Sequence, residues 1–293
     1  MGVVPELPEV EITARLLSRA LAGRTIESAL APGINALKTF APPLSALEGL
    51  QIERVGRRGK HLTVTTDGGL TLLMHLMSAG RLQLYDKLAG PRDRTSRLLL
   101  RIAPAGEDEP RLELRLREFG SKQAAWVKLL SDEELEADEA LATLGPEAWP
   151  DPGTPAELKE LLEAPRPLHT QLRDQRVIAG IGRSWVDEIL WQARLSPYKR
   201  GADLTEEDAE ALRAAIVQTL AAALERYESE LSLPLPDKLP LPLQIHRHEG
   251  QACPRCGGVL KAVHFEDYVI AYCPVCQTEG RELKDRRMSR LLR

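Results

Sequence analysis

All four cysteines of this chain form two Cys-x-x-Cys pairs, Cys253-Pro254-Arg255-Cys256 and Cys273-Pro274-Val275-Cys276, sixteen residues apart. One such pair brings two thiols together on a single tight knuckle. Two knuckles complete a tetrahedral four-sulfur set, whose usual occupant is one structural Zn²⁺. Gly257-Gly258 lets the first knuckle turn, and Val269–Tyr272 reads as a strand leading into the second. A redox dithiol is the other reading of a lone pair, but duplication at this spacing argues against it. No cysteine is left over for a disulfide framework. Such a zinc β-ribbon does not name its partner, since many bind protein.

The ribbon occupies only the last fifty of 293 residues, so most of the chain must fold by burying apolar surface. Pro8 to Ala22 has helical periodicity, with Val10, Ala14, Leu17 and Leu21 on one face and Gly23 at the stop. From Thr25 to about Leu130 the pattern shortens. Leu62–Thr66, Leu70–Leu76, Leu98–Ile102, Leu112–Leu116 and Ala124–Leu129 alternate or are wholly apolar, with turn signals such as Asp67-Gly68-Gly69 between them. An antiparallel sandwich or barrel is expected there. Leu144-Gly145-Pro146-Glu147 opens a proline-rich linker to about Pro155. Helices are then expected over roughly Pro155–Glu163, Ser184–Ala193 and Thr205–Glu225, the last opened by Thr205 with Asp208 as a capping-box partner. Leu233–Pro242 is proline-rich and reads as an extended connector.

The net charge is −4, which does not favour a polyanion as partner; a local basic groove is nevertheless sufficient. Basic residues cluster at Arg54–Lys60, Arg111–Arg117 and Arg281–Arg293. Acidic ones gather at Asp132–Glu139 and Glu206–Glu210, which read as solvated faces. No apolar run is long enough to span a bilayer and no signal-peptide pattern opens the chain, so a cytoplasmic, nucleoid-associated location is expected.

The sharpest motif is Pro5-Glu6-Leu7-Pro8-Glu9-Val10-Glu11. It resembles the amino terminus of the formamidopyrimidine/endonuclease VIII (Fpg/Nei) DNA glycosylases. Other landmarks follow in that family's order: Arg57-Arg58-Gly59-Lys60, His75-Leu76, Arg117-x-Phe119-Gly120, Leu144-Gly145-Pro146-Glu147, Gly180-Ile181-Gly182 and the four cysteines. Each is weak alone. Pro5 and Pro8 could merely start a helix, Lys60 could be a solvated strand-end lysine, His75 a core histidine, and Arg117 with Phe119 an ordinary strand pair. Together and in order they span nearly the whole chain.

The resemblance implies an α+β multidomain protein. A β-sandwich with its leading helix would occupy residues 1–135, a helix–two-turn–helix (H2TH) region with connector 136–242, and the zinc β-ribbon 243–293. It implies base-excision repair of double-stranded DNA carrying a damaged base or an abasic site. In that chemistry a terminal proline, here Pro5, is a secondary amine that attacks the sugar C1′ of an extruded nucleotide. Glu6 matches the acid that protonates the opening sugar, and Lys60 a lysine that contacts phosphate and donates a proton. His75 matches a residue near the DNA backbone. Arg117 and Phe119 match side chains that fill the void left by the extruded base. Gly182 and Arg183 lie where backbone and side chain hold phosphate. Zn²⁺ would be held by Cys253, Cys256, Cys273 and Cys276. A monomer suffices for all of this.

Departures from the pattern set further expectations. Met1-Gly2-Val3-Val4 precede Pro5, and an amide nitrogen cannot form an iminium; Val4, standing where the family has its initiator, is expected to be the translation start. The finger arginine five residues before the third cysteine is Tyr268 here. The asparagine after Gly-x-Gly is Arg183, and a lysine before the helical turn is His169. His75-Leu76-Met77-Ser78 replaces His-Leu-Gly-Met, so the intercalating wedge is either Met77, shifted by one, or absent. Short Leu233–Pro242 stands in place of a long loop that covers 8-oxoguanine, which argues against 8-oxoguanine as the main substrate and permits oxidised pyrimidines, formamidopyrimidines or a bulkier adduct. The rival readings are a family member that binds lesions or abasic DNA without the proline chemistry, and a zinc-ribbon protein-interaction module.

Overall fold

The computed structural model describes residues 4–32, 35–89, 93–106, 109–119, 123–266 and 268–284. The chain separates into two compact units, Met1–Thr143 with Arg226–Pro240, and Leu144–Glu225 with Leu241–Arg293.

The first unit opens with helix α1 (Leu7–Leu21). Pro8 sits in its first turn, where a missing N–H costs nothing, and Gly23 adopts φ 79° just past its end. Eight antiparallel strands follow: β1 (Ile26–Leu30), β2 (Ile52–Arg58), β3 (His61–Thr66), β4 (Leu70–His75), β5 (Gly80–Tyr85), β6 (Ser96–Ile102), β7 (Leu112–Glu118) and β8 (Trp126–Ser131). They form two four-stranded sheets, ordered β1-β6-β7-β5 and β2-β3-β4-β8. Alternate residues of β3 to β8, together with Ile26 of β1 and Ile52 and Val55 of β2, bury one shared core with Val10, Ala14, Leu17 and Leu21 of α1. Apolar area removed from water stabilises this at roughly 25 cal/mol per Å². The expected sandwich is therefore present. Three of its strands, β1, β2 and β5, have no counterpart among the apolar runs legible in the sequence. In β2 a register shift between Ile52 and Arg54 breaks the apolar period, and β5 alternates but offers only Leu82 and Leu84 to the core.

The acidic stretch at Asp132–Glu139 forms two short exposed helices, α2 (Asp132–Ala137) and α3 (Glu139–Ala142), each with its N-cap side chain, Ser131 or Asp138, accepting a backbone N–H. The second unit contains α4 (Pro155–Leu161), α5 (Leu168–Gln171), α6 (Trp185–Gln192) and most of α7 (Glu206–Glu230). Thr205 and Asp208 exchange hydrogen bonds of 2.9 and 3.1 Å, the capping box the sequence indicates. α7 continues past the expected Glu225; its last turn belongs to the first unit and places Tyr227 against Ile12, Leu16 and Leu235, a burial unrelated to helix propensity. The chain then forms a two-stranded hairpin, β9 (Lys261–His264) and β10 (Val269–Tyr272), and ends its described part with α8 (Pro274–Gln277). Among the described residues no helix is long and apolar enough to cross a membrane.

Candidate active site and nucleic-acid interface

In the first unit, Pro5 and Glu6 stand at the head of α1, Glu6 as its N-cap residue. The Glu6 N–H donates to Glu9 Oε2 at 2.8 Å, and Tyr227 Oη donates to Glu9 Oε1 at 2.8 Å. Both carboxylates are buried, Glu6 at 2% and Glu9 at 3% exposure. Burial, then the charge of Glu9, raises the Tyr227 phenol, so it remains a neutral donor. Glu9 thus fixes the backbone from which the Glu6 carboxyl projects.

Lys60 lies in the turn between β2 and β3, beside Gly59 at φ 56°, a conformation that favours glycine. Arg57, at the strand end before it, donates to Glu11 of α1 at 2.6 Å and to the Gly59 carbonyl at 3.4 Å. A buried ion pair therefore ties the Lys60 turn to the same helix that presents Glu6.

His61, His75 and Trp126 occupy one cross-strand row over β3, β4 and β8. His75 packs against both neighbours, with ring centroids 4.7 Å from His61 and 5.9 Å from Trp126. Burial, reinforced by His61 and by Lys60, pulls His75 down to about 3. Burial pulls His61 down to about 4. Both are neutral at physiological pH. Since His75 Nδ1 accepts the Met77 N–H at 3.0 Å, its proton sits on Nε2, which is left as a donor. Met77 itself lies beyond the end of β4, in a turn at φ 50°. The one-residue shift therefore does not reverse a strand face, because no strand continues there.

Arg117, on β7, and Phe119, just after it, form one unit: the guanidinium carbon lies 4.5 Å from the Phe119 ring centre. Arg117 also donates to Tyr85 Oη at 2.8 Å and Thr95 Oγ1 at 3.0 Å. These contacts fix the guanidinium of Arg117 beside the Phe119 ring. Sequence reasoning misses Tyr85; no local motif marks it, and although it lies opposite Glu113 its hydroxyl meets the Arg117 side chain along the paired strands.

In the second unit, Gly180-Ile181-Gly182 makes the turn before α6. Gly180 adopts φ 104°; its N–H donates to Gln175 Oε1, and Gln175 Nε2 donates back to the Ile181 carbonyl. Gly182 is buried and its carbonyl accepts the first helical N–H, from Val186. Arg183 is exposed at the same turn. Gly145 accepts no side chain, since a Cβ there would lie 2.5 Å from the Val177 carbonyl oxygen.

α6 carries two adjacent buried acids that sequence reasoning also misses. Glu188 accepts the consecutive N–H groups of Gln244, Ile245 and His246, while Asp187 accepts from Ala271 and pairs with His246 Nδ1 at 2.7 Å. Burial raises Asp187 to about 6 and raises Glu188 as well. These acids bolt the segment entering the hairpin to α6. Their only sequence signal is two charges in a helix that is otherwise apolar.

The four cysteine sulfurs all lie within 4.8 Å of one another, with Cys253–Cys276 at 4.0 Å and Cys256–Cys273 at 3.5 Å. A tetrahedral ion at the usual Zn–S distance separates its sulfurs by about 3.8 Å, so the set fits a metal of that size. Gly257 at φ 74° turns the first knuckle.

Residues 4–121 match the formamidopyrimidine-DNA glycosylase N-terminal domain, and residues 144–234 match the formamidopyrimidine-DNA glycosylase H2TH domain. The fold and its candidate site thus define the class of DNA glycosylases built on the helix–two-turn–helix unit. The formamidopyrimidine-DNA glycosylase of Thermus thermophilus is 34% identical over 94% of this chain and 100% of its own length. That of Exiguobacterium sibiricum is 33% identical over 94% and 99%. Among solved structures, Lactococcus lactis Fpg bound non-covalently to DNA containing an AP site matches with a TM-score of 0.78. It is 25% identical, covering 93% of this chain and 99% of that one. The same enzyme with DNA containing N7-benzyl-Fapy-dG matches with a TM-score of 0.80 at 26% identity, over 94% and 100%. The chain belongs to the formamidopyrimidine-DNA glycosylase family.

Proposed function

We propose that this protein is a base-excision DNA glycosylase with abasic-site lyase activity, acting on double-stranded DNA with a damaged base or abasic site. The observation that carries it is the head of α1, where Pro5 and Glu6 adjoin and Glu9 and Tyr227 hold the Glu6 backbone. The Pro5 nitrogen, as a free amine, attacks C1′ of the extruded nucleotide. The glycosidic bond breaks with its electron pair leaving on the base, and the Glu6 carboxyl protonates the opening sugar ring. Loss of the C2′ proton and departure of the 3′-phosphate then nick the strand. Lys60 supplies charge and a proton at the phosphate, and the neutral His75 offers Nε2–H to the backbone. Arg117 with Phe119 fills the emptied stack, Met77 lies on a turn adjoining His75, and Gly182 and Arg183 engage phosphate.

We assign the catalytic sandwich to residues 1–135, the H2TH region to 136–242 and the ribbon to 243–293. Cys253, Cys256, Cys273 and Cys276 would hold one Zn²⁺, whose role is to fix the ribbon. The protein would work in the nucleoid.

A second reading rests on the Val4–Pro5 peptide bond, since an amide nitrogen has no lone pair for C1′. In that form the protein binds lesions, or releases bases through Glu6 and water alone. Borohydride trapping on an abasic duplex, with protein made from the native gene, separates the two. A covalent adduct whose yield falls on Pro5→Gly substitution, which leaves a less effective primary amine, supports the lyase. Tight binding without an adduct supports the second reading.

A further inference from the structure

The side of β5 turned away from the core carries Arg81, Gln83 and Tyr85, which alternate with the core residues Leu82 and Leu84. Polar side chains on an outer face usually meet water, yet Gln83 is only 4% exposed. Its cover is the connector that follows α7, whose Leu235 packs on Ile12, Leu16 and Tyr227 within the same unit. Three hydrogen bonds fasten the connector there. Arg81 Nε donates to the Asp237 carbonyl at 2.7 Å, and Gln83 Nε2 donates to the Leu235 carbonyl at 3.0 Å and to Asp237 Oδ1 at 2.9 Å.

These bonds set the direction of a longer chain. With two acceptors before it, the Gln83 amide turns its nitrogen to the connector, so its oxygen faces the other way and accepts the Tyr85 hydroxyl at 2.7 Å. A hydroxyl has one proton to give. Tyr85 gives it to Gln83 and can only accept from Arg117, whose Nη1 donates to it at 2.8 Å. Thr95 repeats the arrangement on the other side of Arg117: its Oγ1 donates to Asp93 Oδ1 at 2.6 Å and accepts Arg117 Nε–H at 3.0 Å. The Arg115 guanidinium carbon lies 4.2 Å from the Tyr85 ring centre and holds that ring in place. Arg117 is thus oriented through Nε and Nη1 beside Phe119, while its Nη2 has no partner among the described residues. A guanidinium standing in an emptied stack faces the base left without its partner, and it distinguishes that base only as well as its donors are aimed.

We propose that Tyr85 and Gln83 are positioning residues for Arg117, through which the connector at 233–237 sets how sharply the protein distinguishes the base opposite the lesion. The proposal rests on the DNA-repair reading above, in which Arg117 with Phe119 fills the emptied stack. Because Tyr85 and Gln83 act through Arg117, their effect on this discrimination vanishes once Arg117 is gone.

The test measures dissociation constants of the full-length, zinc-loaded protein for duplexes holding a tetrahydrofuran abasic analogue opposite C, T, G or A, and for an intact duplex. A well-aimed guanidinium prefers one base over another by about 5- to 150-fold, so the wild type should show a spread of about five-fold or more across the four. Arg117→Gln should collapse that spread. Tyr85→Phe, which keeps the ring beneath Arg115, and Gln83→Met, which keeps the volume, should each narrow it by about two-fold or more. Asp237→Ala, on the exposed side of the connector, should narrow it in the same direction. None of the three should alter the spread in the Arg117→Gln background, whereas a general loosening of the sandwich would weaken all four duplexes alike in both backgrounds. If Gln83→Met does not fold, the half-buried Tyr85→Phe and the exposed Asp237→Ala complete the cycle. A wild-type spread in the soluble variants, an equal effect with and without Arg117, or a wild type with no spread would each overturn the relay, and a retained preference for abasic over intact duplex would then leave the repair reading standing. A wild-type protein that does not prefer the abasic duplex would overturn both.

Discussion

Tyr227 donates its hydroxyl to Glu9 at 2.8 Å across 218 positions of sequence, and the other oxygen of Glu9 takes the N–H of Glu6. The end of the longest helix is thereby linked to the residue that follows Pro5. Tyr227→Phe removes one donor from the buried Glu9 carboxylate, a loss of about 1–3 kcal/mol. Base release should slow more than abasic-DNA binding weakens, because the fault lies in where the Glu6 carboxyl points. Single-turnover rates set beside equilibrium affinity check this, and equal losses in both would contradict it.

Glu6→Gln keeps the size and burial of the side chain but removes its proton. Base release should fall by ~10²-fold or more. Affinity for an abasic-analogue duplex should stay within a few-fold of wild type. Retained release would remove Glu6 from the chemistry.

His61 and His75 are held at about 4 and about 3, below the ordinary 6.5. Below pH 6.5 the unfolded chain binds protons at both positions while the folded one does not, so stability falls as pH falls, until the folded values are reached. Each histidine contributes a slope of about 1.4 kcal/mol per pH unit in that window. Denaturant midpoints between about pH 7 and about pH 4.5 should therefore drop less steeply in His75→Gln than in wild type. Parallel curves would show that the pair is already charged in the fold.

The four sulfurs should bind one zinc per chain, and Cys256→Ala should lower that stoichiometry toward zero. A structural four-thiolate site contributes on the order of 10 kcal/mol to its own small domain. Proteolysis should then cut within 253–277 in the variant but not in the loaded protein. Resistance in both would mean the ribbon folds without metal.

Much is legible in the sequence because its signals are local. α1 shows a helical period with proline at its start and glycine past its end; the duplicated cysteine pairs define their own geometry; Thr205 and Asp208 announce a helix three residues apart. β2 escapes such a reading because its register shifts between Ile52 and Arg54, and β5 because its alternation offers only two core residues, Leu82 and Leu84. Their pairing with β3 and β7 supplies what the period lacks. Spacing alone treats Met77 as a strand residue, and the turn at φ 50° overrides that count.

By itself the sequence determined the sandwich, the helical region and the clustering of the four cysteines, since each follows from residue type at short spacing, and its ordered motifs resemble the family to which the chain belongs. Only the tertiary structure decided that Tyr227 supports Glu9, that Asp187 and Glu188 fasten the hairpin segment to α6, and that Arg117 is linked to the connector through Tyr85 and Gln83. The physical reason is the same in each case. A buried charge or a stacked cation is held by partners far away in the chain, and no periodicity records which distant residue that will be.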